Sequence, residues 1–160
     1  MKIKTLQFGE IDVQKSKLID FEQGLPGFEE LRQFVMINAD GAGPVYWLQS
    51  VEEPQIALSV VDPFELVPDY ALELGDQELD ALQLEDEREL MVLGVTVIPK
   101  DIRKMTVNLA APILINTRQG IGKQIVMDDK RFSTRHPVYD GFCAALRKGG
   151  AACAGAQQKG

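Results

Sequence analysis

The side chains best suited to bond-making chemistry are few and scattered. His136 is the one histidine of the chain, and Ser133 and Thr134 stand just before it in STRHP. A nucleophile and its base must meet at hydrogen-bond distance, which near neighbours on one strand of chain seldom do. Gly122-Lys123 has the look of a phosphate loop. The pattern, however, needs glycine where Thr117 stands and a hydroxyl where Gln124 stands. Carboxylate pairs occur at Glu52-Glu53 and Asp128-Asp129, but a pair becomes catalytic only when the fold sets it in a cleft. Cys143 and Cys153 with a single histidine do not make a structural zinc set. They are expected as free thiols of a reducing cytosol. No catalytic residue, metal ligand or cofactor site is expected.

Composition narrows the partners. The chain has 160 residues, one domain's worth, with 45% hydrophobic residues. Its net charge is −7. That sign repels nucleic acid and acidic membranes and attracts basic proteins. No secretory h-region and no apolar run of membrane-spanning length are present. A cytoplasmic protein is the expectation.

The elements that must position any site are mostly strands. Met105 to Met127 reads as three short strands in a meander, with period-2 alternation broken at Pro112 and at Gly120 and Gly122. Upstream, Ile3 to Phe8 and Ile11 to Val13 predict a hairpin, and Lys17 to Phe21 a third strand. In GLPGFEE a turn precedes one helical turn at Glu29 to Arg32. Further strands are expected at Phe34–Asn38, Val45–Val51, Ala57–Asp62, Tyr70–Leu74 and Leu90–Ile98. Asp40, Gly41, Gly43 and Pro44 read as a loop. Asp76 is a candidate N-cap, with Leu79, Leu82 and Leu84 as one helical stripe. Pro137 opens a last helix, and the glycine- and alanine-rich stretch from Gly149 reads as a disordered tail. Together these predict a mostly β, small antiparallel barrel-like single domain with a few short helices.

Two surfaces are candidates for a basic partner. Tyr46 and Trp47 are neighbours on one strand, so they face opposite ways. Trp47 is either core or an interface anchor, flanked in the second case by Glu52, Glu53, Asp69 and Tyr70. The other candidate is the acidic run Glu73 to Glu89, with eight carboxylates and the single base Arg88. Glu78 and Asp80 mark its helix.

In order along the chain, FGEI, FEQGLPGFEE, YWLQSVEEP, VVDPF, PDY, MTVNLAAPILIN and STRHP resemble the flagellar assembly factor FliW family. The resemblance runs from about Lys2 to Pro137. Residues 138–160 form a C-terminal extension onto which nothing carries over. The resemblance implies a small β-barrel-like fold without catalysis or cofactor. It implies two protein partners: flagellin, and CsrA, an RNA-binding repressor of flagellin translation. A protein of this kind restrains CsrA once flagellin export frees it, and does not itself bind nucleic acid or membrane. The competing reading is a small ligand-binding or hydrolytic barrel that uses His136 and carboxylates in a cavity.

Overall fold

A computed structural model describes residues 1–38 and 44–148. The loop expected at Asp40, Gly41 and Gly43 and the tail from Gly149 lie outside those residues. The chain begins with β1 (Lys2–Thr5) and β2 (Gly9–Asp12), an antiparallel hairpin as expected. Next come β3 (Ile19–Asp20), β4 (Gln33–Ile37), β5 (Val45–Ser50) and β6 (Ala57–Val61). Helix α1 (Pro63–Leu66) starts where the Asp62 carboxylate accepts the Phe64 amide hydrogen at 2.9 Å. Helix α2 (Asp76–Ala81) leads to β7 (Leu90–Val97). The chain ends with β8 (Thr106–Val107), β9 (Ile113–Asn116), β10 (Ile121–Gln124), β11 (His136–Pro137) and α3 (Tyr139–Lys148).

Seven of these strands close on themselves. The order runs β7-β6-β5-β4-β3-β10-β9, and β9 pairs back onto β7. Every contact in the ring is antiparallel except β3 to β10, a parallel seam with one residue pair, Ile121 to Asp20. Alternation sends Phe34, Leu48, Val60, Leu93, Ile113 and Ile115 inward, and all are almost fully buried. Phe21 meets Phe34 edge-on at 5.4 Å in this interior.

The expected meander is corrected at its first joint. β8 does not pair with β9; both lie along β7, one after the other. The register jumps between Thr96–Val107 and Leu93–Ile113, so residues 108–112 bulge out. Asn108 makes the bulge possible. Its side-chain oxygen accepts the amide hydrogens of Ala110 and Ala111 at 3.1 and 3.0 Å.

Other local expectations fail for identifiable reasons. Glu29 and Glu30 form a turn closed by the Leu31 amide on the Phe28 carbonyl, and Leu31 and Arg32 run on irregularly into β4. The Glu29 carboxylate instead accepts the Gly27 amide hydrogen at 3.1 Å. Gly24 needs its hydrogen side chain: its φ is +65°, and a Cβ there would lie 2.6 Å from the Glu29 backbone. Tyr70 to Leu74 is not a strand, since it serves as an irregular cover with Tyr70 in the core. Gly75, not Asp76, is the N-cap of α2.

Three patches cover the outside of the ring. The β1–β2 hairpin lies on Val35. Helices α1 and α3 pack around Val61, Leu66, Leu109, Phe132, Phe142 and Ala145. They meet at Gly141, where a Cβ would occupy the position of the Leu66 carbonyl. The α2 region sits over Leu114 and Ile125 with Leu82 at its centre.

Candidate partner-binding surfaces

The structure divides the aromatic patch. Tyr46 turns to the barrel interior and Trp47 to the outside, both half-buried. The Trp47 ring rests edge-on against Phe8, 6.2 Å away. It is therefore neither a core residue nor a free-standing anchor. Glu52 is already engaged: one carboxylate oxygen accepts the amide hydrogens of Arg32 and Gln33 at 3.0 and 2.9 Å. Glu53 accepts the side-chain amide of Gln55 at 3.0 Å. Asp69 is exposed but lies beside Tyr139 and Asp140, on the α3 side.

Tyr70 is corrected outright. It is 5% exposed, and its hydroxyl donates to the Leu109 carbonyl at 3.0 Å. Its ring is wedged against Phe64 and Phe132. Burial pushes its pKa up to about 12. A side chain so held organises the α1–α3 cover and cannot flank an open interface.

The acidic helix stands clear of the core. None of the residues of α2 is buried, Asp80 is exposed and Glu78 is half-exposed. Glu78 borders a small recess with Glu73, Asp128, Asp129 and Arg131. The carboxylate pair Asp128-Asp129 is thus split, since Asp129 pairs with Arg131 at 2.8 Å.

Sequence reasoning missed a repeated local device, aspartate followed two residues later by arginine. Asp86–Arg88, Asp101–Arg103 and Asp129–Arg131 each form one. In each, the carboxylate accepts the backbone amide hydrogen and the guanidinium of the same arginine. Those bonds hold all three aspartates below the usual carboxylate range. They also neutralise arginines that composition counts as free positive charge. The loop Lys100 to Lys104 is less basic than its letters suggest. The two-residue spacing stands in the sequence at all three places, and it was the signal available.

His136 pairs through its backbone with Val107 and lines an open recess of about 700 Å³ with Asp69, Arg131, Tyr139 and Asp140. Among the described residues, its ring has no hydrogen bond to a hydroxyl or a carboxylate. Gly122 and Lys123 lie inside β10, where no helix N-terminus follows to cradle a phosphate. Among the described residues no cluster of His, Cys, Asp or Glu could hold a metal ion, and no helix is long and apolar enough to cross a membrane. Cys143 is disulfide-bonded, which corrects the free thiol expected of it; Cys153 lies outside the described residues.

Residues 2–138 match the family model described as FliW protein. The chain is similar to the flagellar assembly factor FliW of Geobacter sulfurreducens, 40% identical over 140 residues, covering 88% of this chain and 87% of that one. Its likeness to the FliW of Caldicellulosiruptor bescii is 39% over 138 residues, covering 86% and 90%. A crystal structure of the flagellar assembly factor FliW superposes with a TM-score of 0.81 at 33% identity, over 86% of this chain and 96% of that one.

Proposed function

This chain belongs to the FliW family of flagellar assembly factors, and from that premise we propose that it is a non-catalytic cytoplasmic regulator with two protein partners. It binds CsrA and relieves repression of flagellin translation; flagellin binding takes it away again. The observation that carries this reading is the similarity of sequence and fold over nearly the whole chain to proteins of that name. The net charge of −7 suits a basic RNA-binding partner. Residues 1–137 carry the activity in this reading, and residues 138–160 are accessory to it. Contact is proposed through the exposed Asp80 and through the half-exposed Glu78 and Trp47.

Two routes lead from binding to release of RNA. The acidic surface either occupies the RNA site or binds elsewhere and favours an RNA-poor form of CsrA. The test is to titrate the protein into a preformed CsrA–RNA complex at low salt and then to add flagellin. RNA release that flagellin reverses is the expected result. Saturation below full displacement, with a ternary complex, identifies the second route. No release at all rules out the regulatory reading and leaves flagellin binding to be judged by itself.

A further inference from the structure

Pro63 and the Asp62 cap fix the start of α1, and this sets Phe64 on the outer surface. Its ring leans on Tyr70 at 5.2 Å yet stays 44% exposed. Across from it, α2 leaves Leu79 36% exposed. Between the two lies a recess of about 530 Å³ with Leu72, Leu74, Leu90 and Val92 among its walls. A second recess of the same volume shares Phe64, Leu90 and Val92 and extends to Tyr46 and Met91 at the barrel mouth. Met91 is 37% exposed. The two form one apolar groove with Phe64 as its ridge.

The rim of this groove is acidic. Glu85, Asp86 and Glu87 border one recess, and Asp62 and Glu65 the other. Two of these carboxylates are already paired, Asp86 with Arg88 at 2.7 Å and Glu85 with Arg118 at 3.0 Å, which leaves Glu87, Asp62 and Glu65 without an ion pair among the described residues. Such a rim repels phosphate, so nucleic acids and anionic lipids are poor occupants. The floor presents few donors or acceptors, so a small polar ligand would go unrecognised. An apolar side-chain row flanked by lysine or arginine matches both floor and rim.

We propose that the groove around Phe64 docks a basic, apolar-faced segment of a partner protein. This rests on the functional reading above only in the choice of CsrA as a probe. Phe64 is the anchor, Leu79 and Met91 extend the contact, and the rim carboxylates steer association. The site uses the later part of the acidic run, Glu85 to Glu87, as its rim, and takes neither Trp47 nor the Glu78–Asp80 face.

The experiment is calorimetric titration with purified CsrA at low and moderate salt, using four proteins: wild type, Phe64→Ser, the double variant Glu65→Lys with Glu87→Lys, and Leu6→Ser. Phe64→Ser is expected to weaken binding by about tenfold or more. The charge reversal is expected to weaken it at low salt and to flatten the salt dependence. Leu6, 78% exposed on the hairpin, is expected to have no effect. If wild type binds and the rim variant binds equally well with the same salt slope, the proposal is overturned, even should Phe64→Ser fail to fold. If wild type does not bind CsrA, the functional reading fails, and a second probe decides the groove. That probe is a helical peptide with leucines at i, i+3, i+4 and i+7 and lysine flanks, followed by methyl NMR beside a glutamate-flanked control. Shifts at Leu79, Leu90 and Met91 for the lysine peptide alone support the groove. Shifts elsewhere, or equal shifts with both peptides, overturn it.

Discussion

The β1–β2 hairpin and the α2 segment both cover the outer face of the barrel, but the first seals it and the second leaves it partly open. The hairpin is paired along its full length, and its tip is tied down where the Leu6 amide donates to the Pro54 carbonyl at 2.8 Å. Beneath that side of the ring, Val35 is 4% exposed and Gln49 is fully buried. The Gln49 side-chain amide donates to the carbonyls of Ser50, Pro54 and Ile56. Helix α2 is six residues long with none buried. It is held at its C-terminal end, where Leu82 is buried and Gln83 takes a φ of +54°. A cover fixed at one end leaves apolar surface uncovered beside it, and that is where a partner gains most from burial.

The largest expected effect tests the buried side-chain tie at the end of α2. Asn116 is fully buried, and its Nδ2 donates to the carbonyls of Leu82 and Gln83 at 2.8 and 3.2 Å. Its Oδ1 accepts the amide hydrogens of Arg118 and Gln119. Asn116→Ala leaves four groups short of a partner. The expected cost is about 2–4 kcal/mol, read from urea unfolding. A loss below ~1 kcal/mol would mean that α2 is anchored by its leucines rather than by this side chain.

A pair of substitutions then compares the two covers directly. Val35→Ala, under the hairpin, is expected to cost about 2 kcal/mol, from two lost carbons and the space they leave. Leu79→Ser, on the open side, is expected to cost less, about 1 kcal/mol, because Leu79 is already 36% exposed. Equal losses at the two sites would remove the distinction between sealed and open cover.

How much of this was legible in the letters varies with the range of the interaction. Ile3 and Thr5 alternate with Lys2 and Lys4 in the sequence, and the strand expected there buries both. Phe34, Leu48 and Ile113 stand in strands expected from the sequence, and the structure buries all three. Strand partners were not legible. Nothing local says that β8 and β9 share one edge of β7, because that depends on Asn108 closing its own turn. Tyr70 looked like an interface aromatic because a ring and a hydroxyl suit both interiors and interfaces. Only the Leu109 carbonyl, 39 residues away in the chain, decides for the interior. The groove was hidden for the same reason: Phe64, Leu79 and Met91 come from three separate elements.

Tyr70 also backs Phe64, so it tests whether the ridge is rigid. Tyr70→Phe keeps the ring and removes the bond to Leu109, for an expected cost of about 1 kcal/mol at neutral pH. Its pH signature is separate. The folded pKa is raised from the ordinary 10.0 to about 12, so the stabilisation of the neutral phenol is complete below pH 10 and is lost as pH rises towards 12. Unfolding curves for wild type should therefore lose stability over that window relative to Tyr70→Phe. Parallel curves across it would mean that the hydroxyl reaches solvent.

The smallest expected effect lies on the groove rim. Asp86 caps the turn at Glu87–Glu89 through the Arg88 amide hydrogen and also grips the Arg88 guanidinium. Asp86→Asn keeps a side-chain oxygen for the cap, since asparagine caps about as well as aspartate. It removes only the charge. Because Arg88 holds the carboxyl below its ordinary value of 3.8, the charged pair favours the fold at every pH above that value. The contribution fades as pH falls through the lower, folded-state pKa. Wild type should be slightly more stable than Asp86→Asn at pH 7, and the two should converge in acid; high salt should shrink the gap at neutral pH. The same change frees a positive charge on the rim, so it should also slow association with a basic partner. A variant that loses stability equally at all pH values would point to a broken cap instead of a broken ion pair. The rim effect should then be sought with Glu87→Gln, which touches no arginine among the described residues.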